Sequence, residues 1–202
     1  MKLSIIIPCY NEKQTIQKIV SKILNIKINK EIIIVDDGSI DGTKELIKLK
    51  FKNKEIKKIF HKKNLGKGAA IRSGQKLISG EIVIIQDADL EYYPSDYLKL
   101  IKPIINKQTK VVYGSRILGK KKYKYNKNFY SYYRVLGNYI LTIISNIINH
   151  QKLTDAHTCY KVFDSKLFRK IKLEENDFAF CPEITSKISN LNEYIIEIPI
   201  KY

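Results

Sequence analysis

Two aspartates two positions apart, Asp87 and Asp89, come directly after the run IVIIQ. Alternate residues of an extended chain point to the same side, so both carboxylates would face one way. Carboxylates held close together repel each other unless a cation lies between them. Mg²⁺ and Mn²⁺ prefer oxygen ligands, and Mg²⁺ commonly combines one or two carboxylates with substrate phosphates. The pair therefore predicts a divalent ion that carries a diphosphate, with an exposed acidic turn as the alternative.

Polar groups also follow the other apolar runs in the first half of the chain. The runs LSIIIPCY, EIIIVDD, EIVIIQDAD and KVVYGSR are typical of strands buried on both faces, as in parallel sheets. Ligands of such sheets bind beyond the carboxyl ends of the strands, so the polar groups would share one rim. Each group alone could be a helix cap or a loop turn, but four together favour a binding site. The groups are residues 8–12 (PCYNE), 36–39 (DDGS), 64–68 (NLGKG) and 87–89 (DAD).

Within this rim, Asp37 and Lys67 suit different parts of a nucleotide. A carboxylate at the end of the second strand, Asp37, could accept hydrogen bonds from a base or a ribose. Lys67 stands between two glycines at a predicted helix start, where its side chain and the backbone amides could meet phosphate. This loop matches neither the P-loop nor the G-x-G-x-x-G fingerprint. Asp36 and Asp41 are better explained as structural residues, Asp41 by its place near a helix N-terminus.

The segments between these groups predict the fold. Apolar residues 16, 19, 20, 23 and 24 fall on one helical face, and DGTKELIKLKF, GKGAAIRSGQKLISG and PSDYLKLIKPII predict further helices. Alternating strands and helices predict an α/β fold with a mostly parallel central sheet and flanking helices. CPEITSKISN predicts another helix and YIIEIPIKY a last strand. No Gly-, Ser- or Pro-rich linker divides the chain, so we expect one domain over residues 1–202.

Composition narrows the class of partner. The net charge of +17 over 202 residues favours an anionic partner, although the abundance of Ile, Lys and Asn is also typical of an A- and T-rich genome. Three cysteines without short spacing predict neither a disulfide framework nor a zinc site, and a reducing compartment follows. The N-terminal apolar run is too short for a signal peptide, and no run reaches the roughly 18 apolar residues of a transmembrane helix.

The order of these motifs resembles glycosyltransferase family 2, most of all the branch of dolichyl-phosphate mannose synthase and related polyprenyl-phosphate glycosyltransferases. The resemblance implies a GT-A fold, a nucleotide-sugar donor, Mg²⁺ or Mn²⁺, and an inverting transfer. It implies that residues 1–116 bind the nucleotide sugar and that 117–202 form the acceptor side. The motifs that carry it are IIIPCYNE, IIIVDDGSIDGT, NLGKGAAIRSG, GEIVIIQDADLEYYPSDY, VVYGSR and TDAHTCYKVF.

The resemblance also assigns roles to residues. Asp87 and Asp89 would be the D-x-D metal motif, with Glu91 as a possible third ligand, and Arg116 would lie near the acceptor phosphate. Pro8, Tyr10, Glu12 and Asp37 would hold the nucleotide. With the residues of the rim, the predicted donor-binding set is Pro8, Tyr10, Asn11, Glu12, Asp37, Gly66, Lys67, Gly68 and Asp87.

Two departures from the family pattern concern the acceptor side. Cys159 stands where many relatives have glycine. The chain also shows neither a pair of C-terminal membrane helices nor the basic segment that often follows the last strand in relatives. We therefore expect a C-terminally shortened version of a longer protein.

The acceptor decides which further residues are needed. A sugar hydroxyl needs a general base, for which Asp155 and Glu183 are the first candidates, although Asp155 could equally shape a local turn. A lipid phosphate is already anionic and needs cations instead, and Arg116, Arg134 and Lys161 are available. The positive charge of the chain favours the phosphate acceptor.

The segment from Lys120 to Asn149 also bears on whether the acceptor is a lipid phosphate or a sugar hydroxyl. Its Lys- and Tyr-rich start and apolar continuation suit a membrane interface, with an ordinary core helix as the alternative. On the membrane interpretation the protein associates peripherally with a membrane, at its cytoplasmic face.

Other functions explain fewer of these features. A sugar-nucleotide pyrophosphorylase would usually show a glycine-rich loop on the first strand, where this chain has PCYNE. A nucleic-acid-binding protein would show a basic groove with a reading motif, and we expect no nucleic-acid partner. A remnant that binds nucleotide sugar without turnover remains an alternative, as does transfer to a glycan in cell-surface polysaccharide synthesis.

Overall fold

The computed structural model describes residues 1–118 and 129–202, with side chains from Leu136 onward in the second range. The strands are β1 Leu3–Cys9, β2 Lys30–Asp36, β3 Ile56–Phe60, β4 Ile82–Ile85, β5 Val111–Ser115, β6 Lys161–Asp164 and β7 Ile195–Pro199. The helices are α1 Ile16–Leu24, α2 Thr43–Lys50, α3 Lys67–Gln75, α4 Tyr97–Ile105, α5 Phe129–Asn149, α6 Ser165–Lys170 and α7 Phe180–Asn190. A short 3-10 turn, Pro94–Asp96, precedes α4.

One seven-stranded sheet, in the order β3-β2-β1-β4-β6-β5-β7, forms the centre of the fold. Only β6 is antiparallel to its neighbours, β4 and β5, among the strands that the structure describes. The strands β1 and β4 are buried along their whole length, as their unbroken apolar sequence predicts. The predicted α/β fold with a mostly parallel sheet is confirmed.

The apolar residues that predicted helix α1 are mostly the ones that it buries. Ile16, Ile19, Val20 and Ile23 are fully buried against the sheet. Leu24, which the pattern placed on the same face, is 37% exposed because it lies at the end of the helix. The amphipathic pattern therefore predicts this helix correctly except in its last turn.

Strand β6 has no counterpart in the sequence prediction, and it changes the role of Lys161. This strand has only four residues, and its first residue, Lys161, is fully buried. The Lys161 amine donates to the backbone oxygens of Ala156 (2.9 Å) and Thr158 (2.8 Å) and lies 4.0 Å from the centroid of the Tyr113 ring. The prediction that Lys161 holds an acceptor phosphate was wrong, because a buried amine with these partners has no access to a ligand.

From Leu136 onward, helix α5 has polar side chains inside and apolar side chains outside. Thr142, Ser145 and Asn149 are buried, whereas Ile144 and Ile148 are 46% and 65% exposed. The buried side is tied to the following segment, since the Asn146 amide pairs with the backbone of Leu153 in both directions. The prediction for residues 120–149 lies partly outside the described residues, as do the side chain of Arg134 and its predicted role. Among the helices that the structure describes, none is long and apolar enough to cross a membrane.

A loop of residues 174–178 packs across the start of α3. Arg72 donates to the backbone oxygens of Glu174 and Glu175 and to the side chain of Asn176, and Ala69 N donates to the oxygen of Asn176. This contact is so close that a Cβ at Gly68 would overlap the backbone oxygen of Glu175. Glycine at position 68 is therefore required by packing between segments more than one hundred residues apart.

Gly68→Ala tests this contact. We expect the free energy of unfolding to fall by about 1–3 kcal/mol, because the new methyl group overpacks a rigid backbone contact. Gly137→Ala is the control: Gly137 lies in α5 with no described atom within 4 Å of an added Cβ, so alanine should stabilise by up to about 1 kcal/mol. Urea denaturation of both variants checks the prediction, and equal stability of the two would contradict it.

Candidate functional site

The carboxyl ends of β1, β2 and β4 open into one cavity of about 400 Å³. Parallel neighbours end on the same side of a sheet, so polar residues that follow these strands converge there. The first turn of α3 and the loop 174–178 form the other walls. The lining residues are Pro8, Cys9, Tyr10, Glu12, Asp37, Asn64, Gly66, Lys67, Ala70, Asp87, Ala88, Asp89, Asp177 and Phe178.

Seven of the nine predicted donor-binding residues line this cavity. The other two, Asn11 and Gly68, contact the loops that form its walls. Asn11 joins two loops: its backbone N–H donates to Ser39 Oγ (2.9 Å), and its Oδ1 accepts from Ile40 N (3.0 Å). Gly68 lies against the loop 174–178 instead of facing the cavity. The predicted residues that do not line the cavity are Asn11, Gly68, Glu91, Arg116, Asp155, Lys161 and Glu183.

Asp177 and Phe178 line the cavity although sequence reasoning did not select them. Asp177 Oδ1 accepts from Ala179 N (2.8 Å), and the Phe178 side chain is 76% exposed at the rim. No spacing rule connects them to the early strands, because they reach the site only through the packing of their loop on α3. In the sequence they are only an acid followed by an aromatic residue just before a predicted helix, a pattern too common to single them out.

Asp37 holds one wall of the cavity together. Its Oδ1 lies 2.6 Å from His61 Nδ1 and accepts from Leu65 N (3.0 Å), while its Oδ2 accepts from Gly66 N (2.7 Å). His61 Nε2 in turn lies 2.9 Å from Ser73 Oγ on α3. Asp37 faces the cavity, but its carboxylate is already engaged in fixing the loop that leads into α3.

Asp87 and Asp89 lie together in the cavity, as the i, i+2 spacing predicts. Asp87 Oδ1 is 2.6 Å from Lys67 Nζ, and Asp89 Oδ1 accepts from Glu91 N (3.1 Å). Burial, together with the charges of Asp87, Glu91 and Glu12, raises the pKa of Asp89, against the opposing effect of the Glu91 N–H. Burial is the largest cause and the neighbouring carboxylates add to it, and a bound cation would offset both because it favours the charged form of Asp89.

Gln86 fixes the chain that carries the two aspartates. Its Oε1 accepts from Tyr97 and Tyr160 (2.7 Å each), and its Nε2 donates to the backbone oxygen of Asp87 (2.9 Å). The amide is fully buried. Both lone pairs of Oε1 are therefore used, which locks the orientation of the side chain.

Divalent cations that prefer oxygen fit the donor atoms of Asp87 and Asp89. Within residues 1–118 and 129–202, however, no three His, Cys, Asp or Glu side chains are arranged as a metal cluster. The third predicted ligand, Glu91, accepts from the Tyr202 hydroxyl (3.0 Å) and does not line the cavity. The protein thus offers two carboxylates, and a bound ligand would complete the oxygen coordination shell of Mg²⁺ or Mn²⁺.

Cys9 lines the cavity but is not a nucleophile. Burial raises the pKa of its thiol, and the charges of Asp36 and Glu12 raise it further. Because a thiolate is the reactive form of cysteine, this side chain acts as a small apolar residue.

Arg116, which is partly exposed, and Asp155, which is buried, form an ion pair beyond the cavity. The guanidinium donates through Nε to Oδ2 (2.7 Å) and through Nη2 to Oδ1 (2.8 Å), and Arg116 N also donates to Oδ2 (3.0 Å). The Tyr202 ring lies 5.2 Å from the guanidinium carbon. Asp155 thus orients Arg116 and has both carboxylate oxygens occupied.

Glu183, the other candidate base, is also occupied. Its carboxylate accepts from the backbone N–H groups of Glu174 (2.6 Å) and Glu175 (3.2 Å) and from the amine of Lys187 (2.8 Å). Its place in the fold is to anchor the loop 174–178.

Known proteins share this architecture. A chain of glucosyl-3-phosphoglycerate synthase from Mycobacterium tuberculosis, solved with Mn²⁺, uridine diphosphate and glucosyl-3-phosphoglycerate, superposes with a TM-score of 0.73 at 15% identity, covering 98% of this chain and 70% of that one. At this identity the likeness shows the fold alone, a GT-A glycosyltransferase fold.

Two relatives are more similar in sequence. A UDP-N-acetylglucosamine–dolichyl-phosphate N-acetylglucosaminyltransferase of Methanococcus voltae is 31% identical over 98% of this chain and 84% of its own length. A dolichyl-phosphate beta-glucosyltransferase of Trichomonas vaginalis is 31% identical over 99% of this chain, which spans 65% of that relative. The model of Glycosyl transferase family 2 matches residues 4–172. The chain therefore belongs to glycosyl transferase family 2.

Proposed function

We propose that this enzyme moves a hexose from a UDP- or GDP-sugar to a polyprenyl or dolichyl phosphate, with inversion at the sugar carbon and with Mg²⁺ or Mn²⁺. The observation that carries the proposal is the cavity in which Asp87 and Asp89 face the N-terminus of α3. Both relatives described above are named for transfer to dolichyl phosphate, which supports this class of acceptor.

The donor side combines three kinds of anion recognition. Asp87 and Asp89 would hold the divalent ion, which when bound supplies Lewis-acid stabilisation of the leaving diphosphate. The positive end of the α3 dipole and Lys67 favour the same anion from the opposite wall. Tyr10, 41% exposed, and Phe178 at the rim offer aromatic faces to the base or the sugar.

The acceptor side favours a nucleophile that needs no general base. Asp155 and Glu183 each have a cationic partner, Arg116 and Lys187, which stabilises the charged carboxylate and disfavours uptake of a proton from a hydroxyl. A phosphate oxygen is already anionic and can attack the sugar carbon from the side opposite the diphosphate. Arg116, held in place by Asp155, still has guanidinium donors that could contact such a phosphate.

The outward apolar face of α5 supports peripheral association with a membrane. Its polar inner face binds the segment that carries Asp155, since Ala156 N donates to Thr142 Oγ1 (3.3 Å). An apolar surface attached to the acceptor side would bring a lipid phosphate to the place where it reacts. The positive charge of the chain adds attraction to the anionic lipids of a cytoplasmic membrane face.

A hydroxyl acceptor, such as a growing glycan, is the second candidate because of Asp177. This carboxylate lines the cavity and was not among the predicted bases. It is exposed, and one of its oxygens accepts from Ala179 N, which leaves the other able to take a proton.

Substitution of the metal-binding pair tests the donor assignment. Asp87→Asn and Asp89→Asn should each lower sugar transfer by about a hundredfold or more, because the developing diphosphate charge loses its stabilising cation. Glu45→Gln, on the exposed side of α2, removes one negative charge elsewhere and should leave the rate nearly unchanged. Transfer from labelled UDP- and GDP-sugars to polyprenyl phosphate, with Mn²⁺ or Mg²⁺, measures the effect. Full turnover in Asp89→Asn would reject the metal assignment.

Asp177→Asn separates the two acceptor classes. With a phosphate acceptor we expect less than a tenfold loss of transfer, because no proton has to be removed. Loss of a general base from a hydroxyl acceptor would cost about 10²–10⁴-fold. The measurement compares polyprenyl phosphate with a neutral glycan as acceptor, and a base-sized loss together with preference for the glycan would reverse the acceptor assignment.

Charges on α5 test the membrane association. The double variant Ile144→Asp with Ile148→Asp should reduce binding to vesicles that contain anionic lipid by at least about tenfold, because charge is costly at a lipid-facing position. Leu49→Asp is a matched control, since Leu49 is 69% exposed on α2. Vesicle flotation provides the measurement. If the native protein does not float, or if both variants float equally, α5 is not the membrane-facing surface.

A further inference from the structure

We propose that Lys67 is the resident counter-ion of Asp87, so that the cavity binds a divalent cation together with a nucleoside diphosphate and much more weakly alone. The inference rests on the proposed function, because it concerns how the same donor site is loaded. It assigns Lys67 a role beyond phosphate contact, as the residue that couples the binding of the two ligands.

The first support is the geometry of the ion pair. Lys67 Nζ lies 2.6 Å from Asp87 Oδ1, and only 16% and 21% of the two side chains are exposed. The Phe178 ring, 5.9 Å from the amine, covers it from another side. Such a shielded contact is screened less by solvent and salt than a surface ion pair.

The second support is the charge balance of the cavity. Lys67 is the one cationic side chain among its described lining residues. The carboxylates that line it are those of Glu12, Asp37, Asp87, Asp89 and Asp177. The ammonium group is thus placed where negative charge is most concentrated, at one of the two aspartates that would hold a metal.

The third support is the position of Lys67 in the chain. It is the first residue of α3, and the preceding residue, Gly66, is held by Asp37 through the 2.7 Å bond from its backbone N–H. The anchored backbone keeps the amine within reach of the cavity, where the helix N-terminus also favours an anion.

These contacts imply that the two ligands bind cooperatively. A cation that enters alone and binds Asp87 Oδ1 has to displace the ammonium from that oxygen, and it then lies close to a like charge without an anion between them. A cation that enters with a diphosphate gives the displaced ammonium a new anionic partner in the same cavity. The diphosphate therefore raises the affinity for the cation, and by linkage the cation raises the affinity for the diphosphate.

Binding of Mn²⁺ to Lys67→Met measures this role without any turnover. In nucleotide-free protein we expect the variant to bind Mn²⁺ about tenfold more tightly than the native chain, since a repelling unit charge next to the ligands is gone. In the presence of UDP or GDP the advantage should disappear, and nucleotide should bind more weakly than to the native protein. Titration of free Mn²⁺ by electron paramagnetic resonance, and calorimetry for UDP and GDP, give the constants.

Two variants serve as controls. Lys67→Arg keeps the charge and should bind Mn²⁺ alone within about threefold of the native protein, because the guanidinium can still pair with Asp87. Lys63→Met removes an exposed lysine from the same loop and should change the Mn²⁺ affinity by less than about twofold, owing to screening. Thermal melts followed by circular dichroism confirm that each variant is folded.

The outcomes separate this inference from the proposed function. If folded Lys67→Met binds Mn²⁺ alone no more tightly than Lys63→Met, Lys67 is not the counter-ion, whatever the transfer assay shows. If the gain is found but polyprenyl phosphate accepts no sugar, the acceptor assignment fails and the role of Lys67 stands. Absence of Mn²⁺ binding in every variant, with or without UDP or GDP, would overturn both.

Discussion

The repulsion between carboxylates that must lie close together is the constraint on which the site depends. Parallel strands β1, β2 and β4 end on one side of the sheet, and this topology brings Glu12, Asp37, Asp87 and Asp89 to one cavity. Each carboxylate is stabilised differently: Glu12 by the Thr15 hydroxyl, Asp37 by backbone N–H groups and His61, Asp87 by Lys67, and Asp89 by a single backbone N–H. Burial, together with the charges of Asp87, Glu91 and Glu12, raises the pKa of Asp89. Binding of a cation with an anionic ligand is the chemical use of such an arrangement.

Two acidic residues outside the cavity, Asp155 and Glu183, accept more hydrogen bonds than Asp89 does. Asp155 and Glu183 are satisfied by two or more donors each, and each holds a neighbouring segment in place. Asp155 fixes Arg116, and Glu183 fixes the loop that covers α3. Asp89 and Asp177, which are exposed in the cavity, each accept from one backbone N–H, whereas Asp155 and Glu183 are held by both cationic and backbone donors. This difference is the physical basis for proposing an acceptor that brings its own negative charge.

The early part of the molecule could be predicted from the sequence because its signals are local. Unbroken Ile-rich runs mark β1, β2 and β4, and the spacing of Asp87 and Asp89 places both carboxylates on one side of the chain. Strand β6 was missed because it has four residues and follows an irregular segment. Lys161 was misassigned because only the antiparallel pairing of β6 shows that its side chain points into the core. Asp177 and Phe178 could not be found because their approach to the cavity depends on a contact with Gly66 and Gly68 far away in the chain.

That long-range contact has a consequence for the order in which the protein is made. The strands and α3 that supply most of the cavity are all synthesised before residue 90, whereas the remaining wall comes from residues 177 and 178. The acids of the cavity are therefore synthesised before the residues that complete it, by the time needed to translate roughly ninety more codons, which at 5–20 residues per second is about 5–18 s. During that interval Lys67 and Asp87, which are distant in the sequence, have both been synthesised, whereas the wall that completes the cavity around them has not.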